Sequence, residues 1–194
     1  PPLLFLQILY GNFIYVSTVL MAVYWLSIFV LIILAYYGAY VMYLVLAAQN
    51  GLGTFDLDRQ ELTMLATPEQ HLPNNRFNDG KCDPRGRFWA GTMSLVRQAG
   101  AASLYCLDTD GTVRHVFGGV TTSNGLDWSP DQRTMYYIDT PTMQVAAFDY
   151  DAESGTISNR RVVIPFPDGI GRPDGMTVDA EGMLWIAHWD GGRV

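Results

Sequence analysis

The stretch Gly175-Met-Thr-Val-Asp-Ala-Glu-Gly-Met-Leu-Trp-Ile-Ala187 is the third copy of a pattern that recurs along the chain. Each copy has a glycine, a short extended run, a turn rich in Asp, Pro or Gly, and a strand with aromatic residues. The starting glycines are 45 and 50 residues apart. Recurrence at such an interval indicates a repeat architecture built from β-hairpins. The earlier copies are Gly80-Lys-Cys-Asp-Pro-Arg-Gly-Arg-Phe-Trp-Ala-Gly91 and Gly125-Leu-Asp-Trp-Ser-Pro-Asp-Gln-Arg-Thr-Met-Tyr-Tyr-Ile-Asp139.

A second motif alternates with the first, and its copies are Phe55-Asp-Leu-Asp58, Leu107-Asp-Thr-Asp110 and Phe148-Asp-Tyr-Asp151. Each copy is followed by a turn and another extended run, at 61–65, 112–117 and 161–164. The two motifs together give four strands per repeat, which is typical of β-propeller blades. A single blade cannot bury both of its faces, so neighbouring blades pack face to face around an axis. We therefore predict an all-β fold for residues 41–194, with about three blades and part of a fourth.

The charge distribution divides the chain into two parts. The 194 residues carry 12 Lys and Arg against 19 Asp and Glu, for a net charge of -7. This balance argues against a nucleic-acid partner, because such binding needs clustered cations. Residues 1–55 contain no Asp, Glu, Lys or Arg. A soluble surface needs charged groups, so we interpret residues 1–40 separately from residues 41–194.

The apolar run at 13–35 is a candidate membrane helix. It has 23 residues and no charge, Pro or Gly, and about 20 apolar residues suffice to cross a bilayer. Tyr10, Tyr36 and Tyr37 flank it as interfacial aromatics would. Three alternatives stay open: a signal peptide, a buried β-rich segment, and sequence foreign to the following domain. A membrane helix would make the protein membrane-anchored, with a membrane contact through 13–35.

Further short motifs lie within residues 41–194. They are Asn75-Arg-Phe-Asn-Asp-Gly-Lys81, Ala90-Gly-Thr-Met93, Ser123-Asn-Gly-Leu-Asp-Trp-Ser129, Tyr136-Tyr-Ile-Asp139, Ala147-Phe-Asp-Tyr-Asp151, Pro173-Asp-Gly-Met176, Leu184-Trp-Ile-Ala187 and Gly191-Gly-Arg-Val194. In their order and spacing these motifs resemble the SMP-30/gluconolactonase/regucalcin family. The resemblance implies a six-bladed β-propeller with one divalent cation in its central channel, a sugar-lactone substrate, and a cytoplasmic or periplasmic location.

Asn78, Asn124 and Asp174 are interpreted as equivalent residues of three successive repeats. Asn124 and Asp174 stand directly before the glycine that begins the first motif, and Asn78 stands two residues before it. Amide and carboxylate oxygens suit a hard cation such as Ca²⁺, Mg²⁺ or Mn²⁺, and Zn²⁺ is a further candidate. The resemblance implies that Asn124 and Asp174 bind the metal and that Asp174 is the general base. It also implies that Arg76 and Asn78 hold polar groups of the substrate.

This set suits lactone hydrolysis, in which a cation polarises the carbonyl and a carboxylate takes a proton from water. Family members also have a metal-binding Glu in a first-blade Gly-Glu-Gly-Pro-like motif, which this sequence lacks. Its first Glu is Glu61, in an outer-strand element. Two non-enzymatic alternatives therefore stay open: a membrane-anchored propeller scaffold or accessory subunit, completed by a partner protein, and a calcium-binding regulatory protein.

The same residues have structural interpretations. Asn-Gly and Asp-Gly pairs are common in hairpin turns, and Asp79 is interpreted as a turn or structural residue. The three His residues lack metal-ligand spacing, and the repeated Trp residues are expected to pack within blades. The two Cys residues are expected to be ordinary strand residues. These positions are His71, His115, His188, Trp89, Trp128, Trp185, Cys82 and Cys106.

Overall fold

The computed structural model describes residues 43–194, which form strands with one short 3-10 helix at Thr140–Thr142. Residues 45–55 and 61–194 belong to one compact unit. The strands are β1 Tyr43–Ala48, β2 Gly51–Asp56, β3 Glu61–Ala66, β4 Asn75–Cys82, β5 Phe88–Ser94, β6 Ala102–Leu107, β7 Val113–Val120, β8 Ser123–Trp128, β9 Thr134–Asp139, β10 Gln144–Asp151, β11 Thr156–Pro165, β12 Arg172–Val178 and β13 Leu184–Trp189.

Within this region the strands form four sheets in chain order. The sheets β4-β5-β6-β7 and β8-β9-β10-β11 each have four antiparallel strands joined as a meander. They are preceded by the three-stranded sheet β1-β2-β3 and followed by the pair β12-β13. The all-β prediction is confirmed, and the sheets are consistent with part of a β-propeller. The six-blade total stays a prediction.

The four-strand repeat follows the two sequence motifs. The first motif forms β4-β5, β8-β9 and β12-β13. The second motif forms the last two strands of the first three sheets, which are β2-β3, β6-β7 and β10-β11. Glu61 begins β3, which lies at the edge of its sheet, as predicted. The candidate membrane helix at 13–35 and the boundary near residue 40 lie outside the described residues. From residue 43 onward no helix is long and apolar enough to cross a membrane.

The core lies in layers between successive sheets. The largest cluster joins the two four-stranded sheets, where Trp89 and Trp128 meet edge to face with ring centroids 5.8 Å apart. A second cluster packs Leu52 of β2 against Phe77 of β4. A third packs Ile138 of β9 against Met176 and Ile186. Each sheet thus buries apolar side chains against the next, as propeller blades do.

The structure corrects two sequence interpretations. Trp89 and Trp128 are buried as expected, but Trp185 is 56% exposed. Its strand, β13, belongs to a two-stranded sheet, and the indole Nε1 donates to Asp179 Oδ2 at 2.9 Å. Asp79, interpreted as a turn or structural residue, lies inside strand β4 and not in a turn. Its Oδ1 accepts a hydrogen bond from the backbone nitrogen of Gly80 at 2.8 Å. Cys82 and Cys106 are free thiols in strands, as expected.

We expect Gly91→Ala to lower the free energy of unfolding by about 1–3 kcal/mol, as overpacking of a core does. A Cβ at Gly91 would lie 1.8 Å from Ser123 Oγ and 2.3 Å from Ser123 Cβ. Urea denaturation measures the effect. Gly118→Ala is the control, because its Cβ would meet Ser103 Oγ at an ordinary 3.5 Å. Equal midpoints for the two variants would contradict the close packing of β5 against β8.

Candidate functional site

Three equivalent backbone irregularities position the candidate site residues. Strands β4, β8 and β12 are each the first strand of their sheet, and each loses register with its neighbour at the same motif position. A bulge turns a side chain away from the regular alternation of a strand and is common beside functional sites. The shifts lie between Phe77 and Gly80, between Ser123 and Leu126, and between Pro173 and Met176, and so contain Asn78, Asn124 and Asp174.

These side chains line one cavity of about 470 Å³. The structure thus brings together three of the four predicted site residues, Asn78, Asn124 and Asp174. Asn124 is buried, whereas Asn78 and Asp174 are partly exposed to the cavity. Further lining residues, which the motifs did not single out for the site, are Met93, Arg97, Ala99, Thr121, Thr122, Thr140, Pro141, Arg172 and Trp189.

Hydrogen bonds fix both amide groups with their oxygens free. Asn78 Nδ2 donates to the backbone oxygen of Ser123 at 2.8 Å. Asn124 Nδ2 donates to Thr140 Oγ1 at 3.1 Å, and that hydroxyl donates to the backbone oxygen of Pro173 at 2.8 Å. No hydrogen bond from residues 43–194 reaches the side-chain oxygens of Asn78, Asn124 or Asp174. The Asn78 amide thereby links β4 to β8, and the Asn124 amide links β8 to β12 through Thr140.

A glycine allows strands β8 and β12 to approach each other closely. A Cβ at Gly125 would lie 2.6 Å from Met176 Cβ and 2.7 Å from the backbone oxygen of Asp174. A larger residue would push the two strands apart. Asn-Gly pairs are common in hairpin turns, but in the structure Gly125 lies inside β8, where it permits this close approach and sets Asn124 beside Asp174.

Asp79, on strand β4, lies near Asp174. Burial raises the pKa of the Asp79 carboxyl, the hydrogen bond from Gly80 lowers it, the negative charge of Asp174 raises it, and the positive charge of Lys81 lowers it. The charged side chains that line the cavity itself are Asp174, Arg97 and Arg172.

The cavity rim is held by Asp139, the last residue of the Tyr136-Tyr-Ile-Asp139 motif. Its carboxylate accepts hydrogen bonds from the backbone nitrogens of Thr121, at 3.2 Å, and Thr122, at 2.9 Å. Burial raises the pKa of Asp139, and these two backbone hydrogen bonds lower it. Asp139, the last residue of one of the family-like motifs, thus positions Thr121 and Thr122 at the cavity, a role that the sequence did not reveal.

Arg76 lies apart from the other three residues. It lines a second cavity of about 460 Å³, and its Nη1 donates to the backbone oxygen of Phe77 at 2.8 Å. Glu69, in the same cavity, accepts hydrogen bonds from Asn75 and Thr92 at 2.9 and 3.0 Å. The contact with Phe77 directs the Arg76 guanidinium to its own strand. The substrate-binding role of Arg76 stays a prediction.

The donor set suits a hard divalent cation. Asn78, Asn124 and Asp174 offer only oxygen atoms to the cavity, because both amide nitrogens donate to protein groups. Ca²⁺, Mg²⁺ and Mn²⁺ prefer such oxygen ligands. Between residues 43 and 194 no group of three or more His, Cys, Asp or Glu side chains is placed to hold a metal ion, so a cation in this cavity would depend on the two amide oxygens and the single carboxylate.

Comparison with known proteins agrees with this architecture. Residues 36–194 match the profile of the SMP-30/Gluconolactonase/LRE-like region. A candidate sugar lactone lactonase, YvrE, of Bacillus subtilis (strain 168) is 44% identical over 151 residues, which cover 78% of this chain and 52% of that protein. Regucalcin of Xenopus laevis is 48% identical over 155 residues, covering 77% of this chain and 52% of its own.

A solved structure shows the same fold. The calcium-binding protein regucalcin of Agrobacterium tumefaciens (strain C58) superposes with a TM-score of 0.73 at 32% identity, covering 79% of this chain and 56% of that one. The chain spans about half the length of the relatives it matches. The matched profile covers most of the chain, and the chain therefore belongs to the SMP-30/gluconolactonase/LRE-like family.

Proposed function

We propose that the cavity at the first strands hydrolyses a sugar lactone with the help of one divalent cation. The observation that carries the proposal is the threefold repetition of one bulge, which brings three oxygen-bearing side chains to one cavity. The lactone class is supported by the name of the Bacillus relative. Calcium is supported as one candidate cation by the name of the Agrobacterium relative.

Each residue has a role that its contacts support. Asn124 Oδ1 and the Asp174 carboxylate would hold the cation, since their oxygens accept no hydrogen bond from the described part of the chain. When bound, the cation would supply a polarised lactone carbonyl and a more acidic water. Asp174 would accept the proton of the attacking water on the carboxylate oxygen that does not hold the cation, since a carboxylate beside the reacting water can act as a general base.

Asn78 would orient the substrate. Its Nδ2 is already committed to Ser123, so Oδ1 would accept a hydrogen bond from a sugar hydroxyl. Arg76 would supply donors to the substrate only with its guanidinium turned from Phe77 toward the first cavity. The predicted membrane contact through 13–35 and the partner protein that completes the propeller stay predictions.

Metal removal tests the proposal. We expect the purified protein to hydrolyse D-glucono-1,5-lactone, and EDTA treatment to lower the rate by at least about 10-fold, because the carbonyl then lacks its electrophile. Adding back Ca²⁺, Mg²⁺, Mn²⁺ or Zn²⁺ separately identifies the cation, and calorimetry measures its binding without turnover. Metal uptake without hydrolysis would favour a calcium-binding regulatory protein. Absence of both would favour the scaffold alternative.

A further inference from the structure

Two arginines that the proposed reaction does not use line the same cavity. Arg97 follows β5, and Arg172 begins β12, two residues before Asp174. Neither guanidinium makes an ion pair or hydrogen bond with any residue between 43 and 194. Arg172 instead lies over the ring of Trp189, with its Cζ 5.8 Å from the ring centroid. An aromatic face holds a guanidinium in place while its N–H donors stay free for a ligand.

Arg97 is held at the rim by its backbone. Its φ of 55° lies in the left-handed region, which a residue with a side chain rarely adopts. The backbone nitrogen of Arg97 donates to Ser94 at 2.9 Å, and Gly100 in the same loop donates to Thr121 Oγ1 at 3.1 Å. These two hydrogen bonds fix the backbone of the loop beside the cavity.

The charges around the arginines leave a place for an anion. In the proposed function the carboxylate of Asp174 is engaged by the cation. Asp168 and Asp190 line an adjoining cavity that Arg172 also borders, but neither comes within ion-pair distance of Arg172. Both arginines are exposed to solvent, and a neutral sugar lactone would leave their guanidinium groups solvated but without a charged partner. A guanidinium stays protonated, and its planar fork matches a carboxylate.

We propose that Arg97 and Arg172 bind an anionic substituent of the substrate and give the site a preference for lactones that carry a carboxylate away from the ring carbonyl. This inference rests on the lactonase function proposed above. It concerns only the choice among lactones, so its failure can be separated from the failure of that function.

The test compares two substrates that differ at one carbon. D-glucaro-1,4-lactone carries a carboxylate where D-glucono-1,4-lactone carries a hydroxymethyl group. We expect kcat/KM to favour the glucarolactone by about 10-fold, the effect of one charge-assisted hydrogen bond. Arg97→Gln and Arg172→Gln should each reduce this ratio severalfold. Arg85→Gln is the matched control, because Arg85 is exposed in the β4–β5 turn and lines neither cavity.

The outcomes separate the two proposals. A ratio near one in the wild-type protein, or an equal reduction by Arg85→Gln, would overturn the anion preference while lactone hydrolysis stands. If neither of these lactones nor D-glucono-1,5-lactone is hydrolysed, the proposed function fails, and calorimetry with D-glucarate and D-gluconate decides the role of the arginines. Tighter binding of D-glucarate that is lost in Arg97→Gln and Arg172→Gln would support that role. Equal binding would refute it.

Discussion

Asp174→Asn should lower kcat/KM for lactone hydrolysis by about 10²–10⁴-fold, the usual contribution of a general base. The amide keeps the shape of the side chain but cannot accept a proton at neutral pH. It also removes the only formal negative charge among Asn78, Asn124 and Asp174, so cation affinity should fall in the same variant. Initial rates with D-glucono-1,5-lactone and calorimetric titration with Ca²⁺ measure the two effects.

The loss should be one of function and not of folding. The Asp174 carboxylate accepts no hydrogen bond from residues 43–194, so its replacement leaves no donor there without a partner. We expect the urea midpoint to move by no more than that of a surface substitution, about 0.5 kcal/mol. Glu181→Gln removes one negative charge from the exposed turn before β13 and is the control for net charge. An Asp174→Asn protein that retains more than a tenth of wild-type activity would contradict the role of Asp174.

The sequence predicted the repeat because four-stranded blades impose a regular interval on their motifs. Every described strand from β4 to β13 lies in a segment that the two motifs marked as extended or adjoins one. The equivalence of Asn124 and Asp174 was visible for the same reason, because each directly precedes a motif glycine. Asn78 stands two residues before Gly80, and its equivalence follows from the position of its bulge. The spacing of the motifs could not predict the bulges. In the structure Asn124-Gly125 and Asp174-Gly175 lie inside strands, although such pairs are common in turns.

Other site features could not be predicted because they depend on contacts between sheets. Thr140 holds Asn124 across 16 residues, and its own bond to Pro173 spans 33 residues. Arg97 lies in a loop with no motif of its own. Arg172 directly precedes the Pro173-Asp-Gly-Met176 motif, and its position two residues before Asp174 in an extended run was a signal that could have found it.

Asp83→Ala should destabilise the fold by about 2–6 kcal/mol, because it leaves two buried donors without an acceptor at about 1–3 kcal/mol each. Arg87 keeps its ion pair with Asp108 at 3.2 Å. The Asp83 side chain is 0% exposed and pairs with Arg87 at 3.1 Å. Its Oδ2 also accepts hydrogen bonds from Tyr150 Oη at 2.7 Å and Trp89 Nε1 at 3.1 Å. Removal of the carboxylate would leave these donors buried without their acceptor. Because Tyr150 belongs to the next sheet, the cluster joins two sheets at the largest core layer.

The loss of stability in Asp83→Ala should depend on pH. Burial raises the pKa of Asp83, but the hydrogen bonds from Tyr150, the Arg87 backbone and Trp89 outweigh it, so the pKa lies below its ordinary value of 3.8. A lowered pKa in the folded state stabilises the protein above the ordinary value, and this stabilisation is lost as the pH falls through the lowered one. The difference between wild type and Asp83→Ala should therefore be full at pH 7 and shrink below about pH 4.

Urea denaturation at pH 7 and at lower pH measures this difference, and the exposed ion pair of Asp149 and Arg161 provides the comparison. Those side chains are 52% and 46% exposed and lie 2.7 Å apart. Water screens them, so Asp149→Ala should cost less than about 1 kcal/mol. If Asp83→Ala and Asp149→Ala shift the urea midpoint equally, the buried cluster does not hold the two sheets together. A large deficit for Asp83→Ala alone would assign that stability to the carboxylate shared by Arg87, Trp89 and Tyr150.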